Sequence, residues 1–321
     1  MNSPPDRHDP SSAPTATSRA QFLRLAAGAA ALAMSGTGAA LGAQPAAPML
    51  SRPIPASGEA LPVIGLGTWQ GFDVAPGSAE YDRLPAVLQA LFDAGGSVID
   101  SSPMYGRSEA VTGELLAAAA SRSRAFVATK VWTRGRAEGI RQMDDSLRLL
   151  QTGRIDLMQI HNLLDWRTQL ATLRDWKAAA RIRYFGITHY TASAYDELEA
   201  VMRAERFDFV QVNYSLDERD AGRRILPLAA ERGMAVLINR PFGGGGLLRR
   251  LRERPLPAWA PELGVTSWAQ LLLKFVLGQP AVTCVIPGTS RPEHMADNAR
   301  AGSGRMPDAA FWRRHPELFN L

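Results

Sequence analysis

The chain has 321 residues and a mass of 34.8 kDa, 46% hydrophobic and 21% charged, which is enough apolar content for a large core; an α/β barrel of this length commonly forms one domain. Its net charge of +5 comes from scattered Lys and Arg with no aromatic-interleaved basic stripe, which argues against a nucleic-acid partner. The single cysteine, Cys284, lies in an apolar run, excluding an intramolecular disulfide and a cysteine-based zinc site.

Residues 1–43 read as an export signal. A Pro/Ser/Thr-rich start leads through Ser18-Arg19-Ala20-Gln21-Phe22-Leu23-Arg24 into an Ala/Gly/Leu stretch ending near Ala43. The segment resembles a twin-arginine signal, with Ala20 where the second arginine belongs. A periplasmic or otherwise exported protein is the expectation, with an Ala-rich leader on a cytoplasmic protein as the alternative. The stretch is too short and too interrupted by glycine for a stable membrane span. Residues 44–58, Pro-rich and aperiodic, read as a linker, and the folded body is expected over 59–321.

Within that body, short β-branched runs alternate with longer stretches at helical spacing. The predicted strands are Val63–Trp69, Ser97–Ser102, Ala125–Lys130, Leu157–Asn162, Tyr184–His189, Phe209–Tyr214, Ala235–Asn239 and Thr283–Pro287. The predicted helices between and after them are Ala79–Ala94, Ser108–Ala120, Arg136–Leu150, Trp166–Ala179, Ala192–Ala204, Asp217–Arg232, Pro261–Leu277 and Pro292–Ala299, several stopped by glycine. Eight strand–helix units predict a single-domain (β/α)8 TIM barrel. A doubly wound sheet is the competitor, but Gly65-Leu66-Gly67 lies inside the first strand and opens no helix. Gly243 to Gly246, after the seventh strand, read as a loop placed where barrels often bind phosphate.

Asp100, Lys130 and His161 fall at the C-terminal ends of the second, third and fourth strands, with Tyr105 just past the second, so the barrel turns them toward one mouth. A buried ammonium at Lys130 is expected to lower the Tyr105 phenol toward a usable acid, and Asp100 to keep Lys130 charged. His161 can hydrogen-bond a carbonyl oxygen where charge develops. The set suits protonation of an oxygen as hydride reaches carbon. Taken singly, each residue also reads as a cap, core or surface group.

Seven motifs in order make the chain resemble the aldo-keto reductases across Leu61 to Asn298. They are Gly65-Leu66-Gly67-Thr68-Trp69, Asp100-Ser101-Ser102-Pro103-Met104-Tyr105-Gly106, Thr129-Lys130-Val131-Trp132, Gln159-Ile160-His161-Asn162, Gly186-Ile187-Thr188-His189-Tyr190, Gln211-Val212-Asn213-Tyr214 and Ile286-Pro287-Gly288-Thr289. The resemblance implies a barrel that binds NADP(H) without a Rossmann domain, with NAD(H) left open, and a tetrad of Asp100, Tyr105, Lys130 and His161. It also implies that Thr188, His189 and Gln211 lie at the nicotinamide carboxamide, that Phe242 and Gly243 contact the pyrophosphate through the backbone, and that Arg240 sits on the cofactor. Gly288, Thr289, Ser290 and Arg291 would surround the adenosine phosphate, with Asn298 near adenine and Trp69 and Trp132 at the substrate mouth. Two departures stand out. Asn239 and Arg240 replace a nicotinamide-stacking tyrosine and the serine beside it, and Gly288 and His294 replace basic residues, leaving Arg291 as the 2′-phosphate ligand.

The expected activity is hydride transfer to a small aldehyde or ketone with Tyr105 as proton donor. The alternatives are an NADPH-binding sensor or accessory protein, a Schiff-base lyase using Lys130 and, weaker still, a metallohydrolase around His161 and His189, which lacks a third ligand, so no metal site is expected. Nothing in the pattern announces a protein partner.

Overall fold

The chain divides into two units, residues 1–45 and 46–321. The computed structural model describes Met1 and residues 48–320, and the fold below is that of the second unit; the signal reading for 1–43 lies outside the described residues. A short antiparallel hairpin, β1 (Ser51–Pro53) and β2 (Ala60–Pro62), precedes eight parallel strands. These are β3 (Leu66–Gly67), β4 (Val98–Asp100), β5 (Phe126–Val131), β6 (Ile155–His161), β7 (Ile182–His189), β8 (Phe209–Asn213), β9 (Ala235–Asn239) and β10 (Cys284–Val285), hydrogen-bonded in chain order. Backbone bridges Ile64–Val285 and Gly67–Gly288 join the first strand to the last and close the barrel. Closure leaves no sheet edge to be covered.

The helices are α1 (Leu84–Asp93), α2 (Ser108–Ala118), α3 (Arg136–Leu149), α4 (Trp166–Ala178), α5 (Tyr195–Ala204), α6 (Asp220–Arg223), α7 (Ile225–Glu231), α8 (Gly246–Leu251), α9 (Trp268–Leu277), α10 (Pro292–Arg300) and α11 (Ala309–Arg314). On α1 the buried residues Leu84, Val87, Leu88, Leu91 and Phe92 recur every three or four positions, forming the stripe that packs on the barrel. The single helix predicted over Asp217–Arg232 is two, α6 and α7, because Pro227 lacks an amide hydrogen and its ring excludes the carbonyl four residues back, at Arg223. The helix predicted over Pro261–Leu277 begins only at α9. Gly264 turns left-handed (φ 64°), and Ser267 caps α9 by accepting from the Gln270 amide at 3.1 Å. The sequence reading missed α8, whose first residue belongs to the glycine run, and α11.

Side chains alternate across each strand, so Phe126, Leu157, Tyr184 and Phe209 point inward and pack with Ile54, Leu61, Val98 and Cys284. Tyr184 and Phe209 meet edge to face at 5.6 Å, and Phe126 stacks on Tyr184 at 6.1 Å. This apolar plug seals the N-terminal end of the barrel, which leaves the opposite end as the mouth.

The linker reading of 44–58 needs correction where it meets the hairpin. Ile54 is fully buried in the plug, and the Arg52 guanidinium donates to the carbonyls of Leu277, Gln279 and Val282. A three-residue strand rich in proline carries too little periodicity to be seen, yet it closes the floor.

Gly113 places α2 against α3: a Cβ built there would lie 2.2 Å from the Leu149 carbonyl oxygen. Gly113→Ala is therefore expected to cost about 1–3 kcal/mol through forced separation of the helices. Urea unfolding followed by circular dichroism checks this, and an unchanged midpoint would contradict close helix approach at this position.

Candidate active site

Asp100 is the last residue of β4 and His161 the last of β6, while Lys130 is the penultimate residue of β5. Each stands at an even offset from an inward core residue, Val98, Leu157 and Phe126 respectively, so all three face the barrel interior. Tyr105 comes from the turn between β4 and α2, and its ring meets His161 edge-on at 6.1 Å. Lys130 Nζ donates to Asp100 Oδ2 and to the Ser101 carbonyl, both at 2.7 Å, and lies 5.0 Å from the centre of the Tyr105 ring. The four predicted catalytic residues thus converge on one mouth.

The sequence reading gives Gln159 no role and Gln211 only a cofactor role, yet both amides complete this cluster. Asp100 Oδ1 accepts from Gln159 Nε2 at 3.1 Å and Gln211 Nε2 at 2.9 Å. Gln211 also donates to Gln159 Oε1 and accepts from Asn239 Nδ2, each at 3.3 Å. A belt of side chains from β4, β5, β6, β8 and β9 therefore crosses the top of the barrel. The signal for Gln159 was present, since it shares parity with His161 and is paired in register with Lys130. Ser102, also unassigned, hydrogen-bonds His161 Nδ1 at 3.1 Å.

Burial works against a charge on Lys130, but Asp100 and Tyr105 outweigh it and raise its pKa above the usual lysine value. A lysine so held is not a free amine, which removes the chemical basis of the Schiff-base reading. Burial also pushes the Tyr105 phenol above its ordinary value, against the pull of Lys130. The expectation that the ammonium would lower the phenol is thus corrected: desolvation is the larger effect, and Tyr105 is a protonated phenol at neutral pH. Burial, with the Lys130 and His189 charges, pushes His161 down to about 2, so its imidazole is neutral.

The residues assigned to a cofactor form two groups. Thr188 and Gln211 are buried at paired positions of β7 and β8, with half-buried His189 beside them. Both Gln211 amide hydrogens are engaged within the belt, so only its oxygen has capacity left to meet a ligand. Arg240 follows β9 in a left-handed conformation (φ 49°), its Nη2 3.8 Å from Glu218, a residue that carried no motif signal. Buried Arg240 Nε and Asn239 Oδ1 have no hydrogen-bond partner among the described residues. Gly243, Gly244 and Gly245 are all left-handed (φ 57°, 63° and 86°). The Gly243 amide closes a turn on the Arg240 carbonyl, whereas those of Phe242 and Gly244 have no partner among the described residues; the Phe242 side chain anchors the loop in the core. Unpaired polar atoms beside bare amides suit an anionic, amide-bearing ligand.

The second group lies at the β10 end. Gly288 bridges Gly67, the half-buried Thr289 accepts from the Arg291 amide at 3.1 Å, and Ser290 is half-buried beside them. Arg291 is exposed and makes no ion pair among the described residues, while Asn298 is buried on α10. At the rim, Trp69 and Trp132 are 52% and 41% exposed, and Met104 and Tyr190, which the sequence reading did not single out, are exposed with them. Trp132 lies 6.4 Å from the His161 ring. Among the described residues no group of three His, Cys, Asp or Glu could hold a metal, and no helix is long and apolar enough to cross a membrane.

Comparison with known proteins places this arrangement in context. The profile of the Aldo/keto reductase family matches residues 63–313. Methylglyoxal reductase YeaE of Escherichia coli is 29% identical over 248 residues, 74% of this chain and 84% of the relative. The crystal structure of an aldo-keto reductase from Klebsiella pneumoniae in complex with NADPH superposes with a TM-score of 0.70 at 27% identity, covering 85% of this chain and 95% of that one. Another from the same organism, in complex with NADP and acetate, gives 0.69 at 28% identity, covering 82% and 93%.

An imidazole near 2 in the folded protein and near 6.5 when unfolded gains a proton on unfolding at intermediate pH, so acid favours the unfolded chain. The contribution is complete above about pH 6.5 and declines below it. His161→Asn is expected to lose about 2 kcal/mol less stability than the wild type between roughly pH 7.5 and 5, measured by urea unfolding. Parallel losses in the two proteins would contradict a buried neutral His161.

Proposed function

The chain belongs to the aldo/keto reductase family, and on that premise we propose that it reduces a small aldehyde or ketone to the alcohol, using NADPH, with Tyr105 as proton donor. The observation that carries the reading is the Tyr105 ring at the mouth, 5.0 Å from the buried Lys130 Nζ that Asp100 holds and 6.1 Å from the His161 ring. Thr188, His189 and the Gln211 oxygen would meet the carboxamide, Arg240 and the amides around Phe242 and Gly243 the pyrophosphate, and Gly288, Thr289, Ser290, Arg291 and Asn298 the adenosine end. Bound NADPH supplies the hydride to the carbonyl carbon.

The protein's own residues manage the oxygen. As charge grows there, the Tyr105 phenol gives up its proton, and the phenolate left behind faces Lys130. Asp100 keeps that lysine charged, and His161 holds the substrate oxygen by hydrogen bonding. Trp69 and Trp132 flank the approach with apolar surface. Methylglyoxal, the substrate in the name of the Escherichia coli relative, is the first carbonyl to test.

Tyr105→Phe is expected to lower carbonyl-dependent NADPH oxidation about 10²- to 10⁴-fold while the NADPH dissociation constant stays near that of the wild type. Full turnover in that variant would overturn the role, and cofactor binding by the wild type without turnover on a carbonyl panel would favour the sensor.

Arg291→Ala is expected to weaken NADPH about tenfold or more, with NADH little affected, since a guanidinium grips only the former's extra phosphate. Fluorescence titration with both cofactors checks this; equal losses would remove Arg291 from the 2′-phosphate.

A further inference from the structure

We propose that Ser102 is a positioning residue that locks His161 in the tautomer carrying its proton on Nε2, making the ring a hydrogen-bond donor toward the substrate oxygen; this rests on the reductase reading above. Ser102 is fully buried, and its Oγ lies 3.1 Å from His161 Nδ1 and accepts from the Met104 amide at 3.3 Å. Those are its only side-chain partners among the described residues.

Two arrangements are open to a neutral imidazole. If Nδ1 carried the proton, it would donate to Oγ, and the Ser102 hydroxyl hydrogen would be left inside the protein without an acceptor. If Nε2 carries it, the hydroxyl donates to Nδ1 and the Met104 amide fills an Oγ lone pair, so the Ser102 hydroxyl and Nδ1 are both paired and only the Nε2 proton is left for a ligand. Nε2 makes no hydrogen bond among the described residues, and the ring borders Tyr105 and Trp132. Its proton is then available to a carbonyl oxygen placed beside the Tyr105 phenol. Such an oxygen has two lone pairs, one for the phenol and one for the imidazole, so a ring presenting a lone pair at Nε2 would repel it. The turn after β4 that carries the proton donor thus also sets which way the imidazole donates, through a residue that never touches substrate.

The test is nitrogen-15 NMR of the histidines in cofactor-free wild type and Ser102→Ala, with His161 identified by the signals missing in His161→Asn. The wild type is expected to show the Nε2–H tautomer. In Ser102→Ala the Nδ1–H form becomes populated and kcat falls about fivefold to tenfold, the worth of one neutral hydrogen bond, with the NADPH dissociation constant unchanged. An Nδ1–H wild type, or an unaltered tautomer in Ser102→Ala, would overturn the lock. Because the spectra need neither cofactor nor turnover, they decide the lock even if wild-type protein reduces no carbonyl, a result that would instead sink the reductase reading.

Discussion

A lysine with no exposed surface, 2.7 Å from a carboxylate whose side chain is 3% exposed, has to be compensated on every side, and much of the barrel mouth follows from how that is done. Removing one partner from such a pair costs about 3–5 kcal/mol, because the other is left charged inside the protein. Here Asp100 takes the ammonium on one oxygen and two glutamine amides on the other, while the Ser101 carbonyl takes a second hydrogen of Lys130. Strands from half the barrel are tied together by these contacts, so the positions of β4, β5, β6 and β8 and the placement of the ammonium are one constraint.

The barrel ends differ for the same reason. At the floor, inward positions carry Phe126, Tyr184, Phe209 and Leu157, packed with the hairpin residues Ile54 and Leu61, and only the Tyr184 hydroxyl needs partners, which Ser57 and Glu59 supply. At the mouth the same inward register carries Asp100, Lys130, Gln159, Gln211 and Asn239, and every one of them needs a partner. Three of the belt's hydrogen bonds join one amide side chain to another or to Asp100 at 3.1–3.3 Å, and this run of bonds ends at Asn239 Oδ1, a buried acceptor with no partner among the described residues. That loose end falls beside Arg240 and the glycine loop, where the cofactor reading also points.

Much of this was legible in the sequence because alternation of short β-branched runs and helical stretches has few three-dimensional solutions once eight repeats are counted. What escaped notice escaped for local reasons. β1 is three residues with a proline and carries no readable alternation. The first and last predicted barrel strands, Val63–Trp69 and Thr283–Pro287, are found but shortened to two residues each, β3 and β10, because the seam of the barrel is made by bridges at Ile64 and Gly67 rather than by a ladder. The tetrad is readable as polar residues at or just past strand ends, but Gln159, although it opens the motif that carries His161, has no role in the sequence reading despite a parity with His161 that turns it inward. The Tyr105 acidity was misjudged because a sequence shows that an ammonium is near but not how much water is lost around the phenol.

That misjudgement changes the chemistry for the better. A phenol lowered to neutrality would be partly ionised, and an ionised phenol has no proton to give to an oxygen that is becoming an alkoxide. Burial favours the protonated form of Tyr105, and in the proposed reaction Lys130 would act later, on the phenolate, so that its stabilisation would be felt as charge develops rather than before. His161, neutral for the same reason of burial, would add a donor in the proposed reaction without adding a positive charge beside Lys130. Asp100 and Lys130 form an ion pair, so the four residues proposed as catalytic would carry donors without net charge, which suits an uncharged carbonyl. In the proposed reaction the acceptor oxygen would meet two hydrogen-bond donors whose value rises as it becomes anionic, which is the condition for stabilising the transition state more than the substrate.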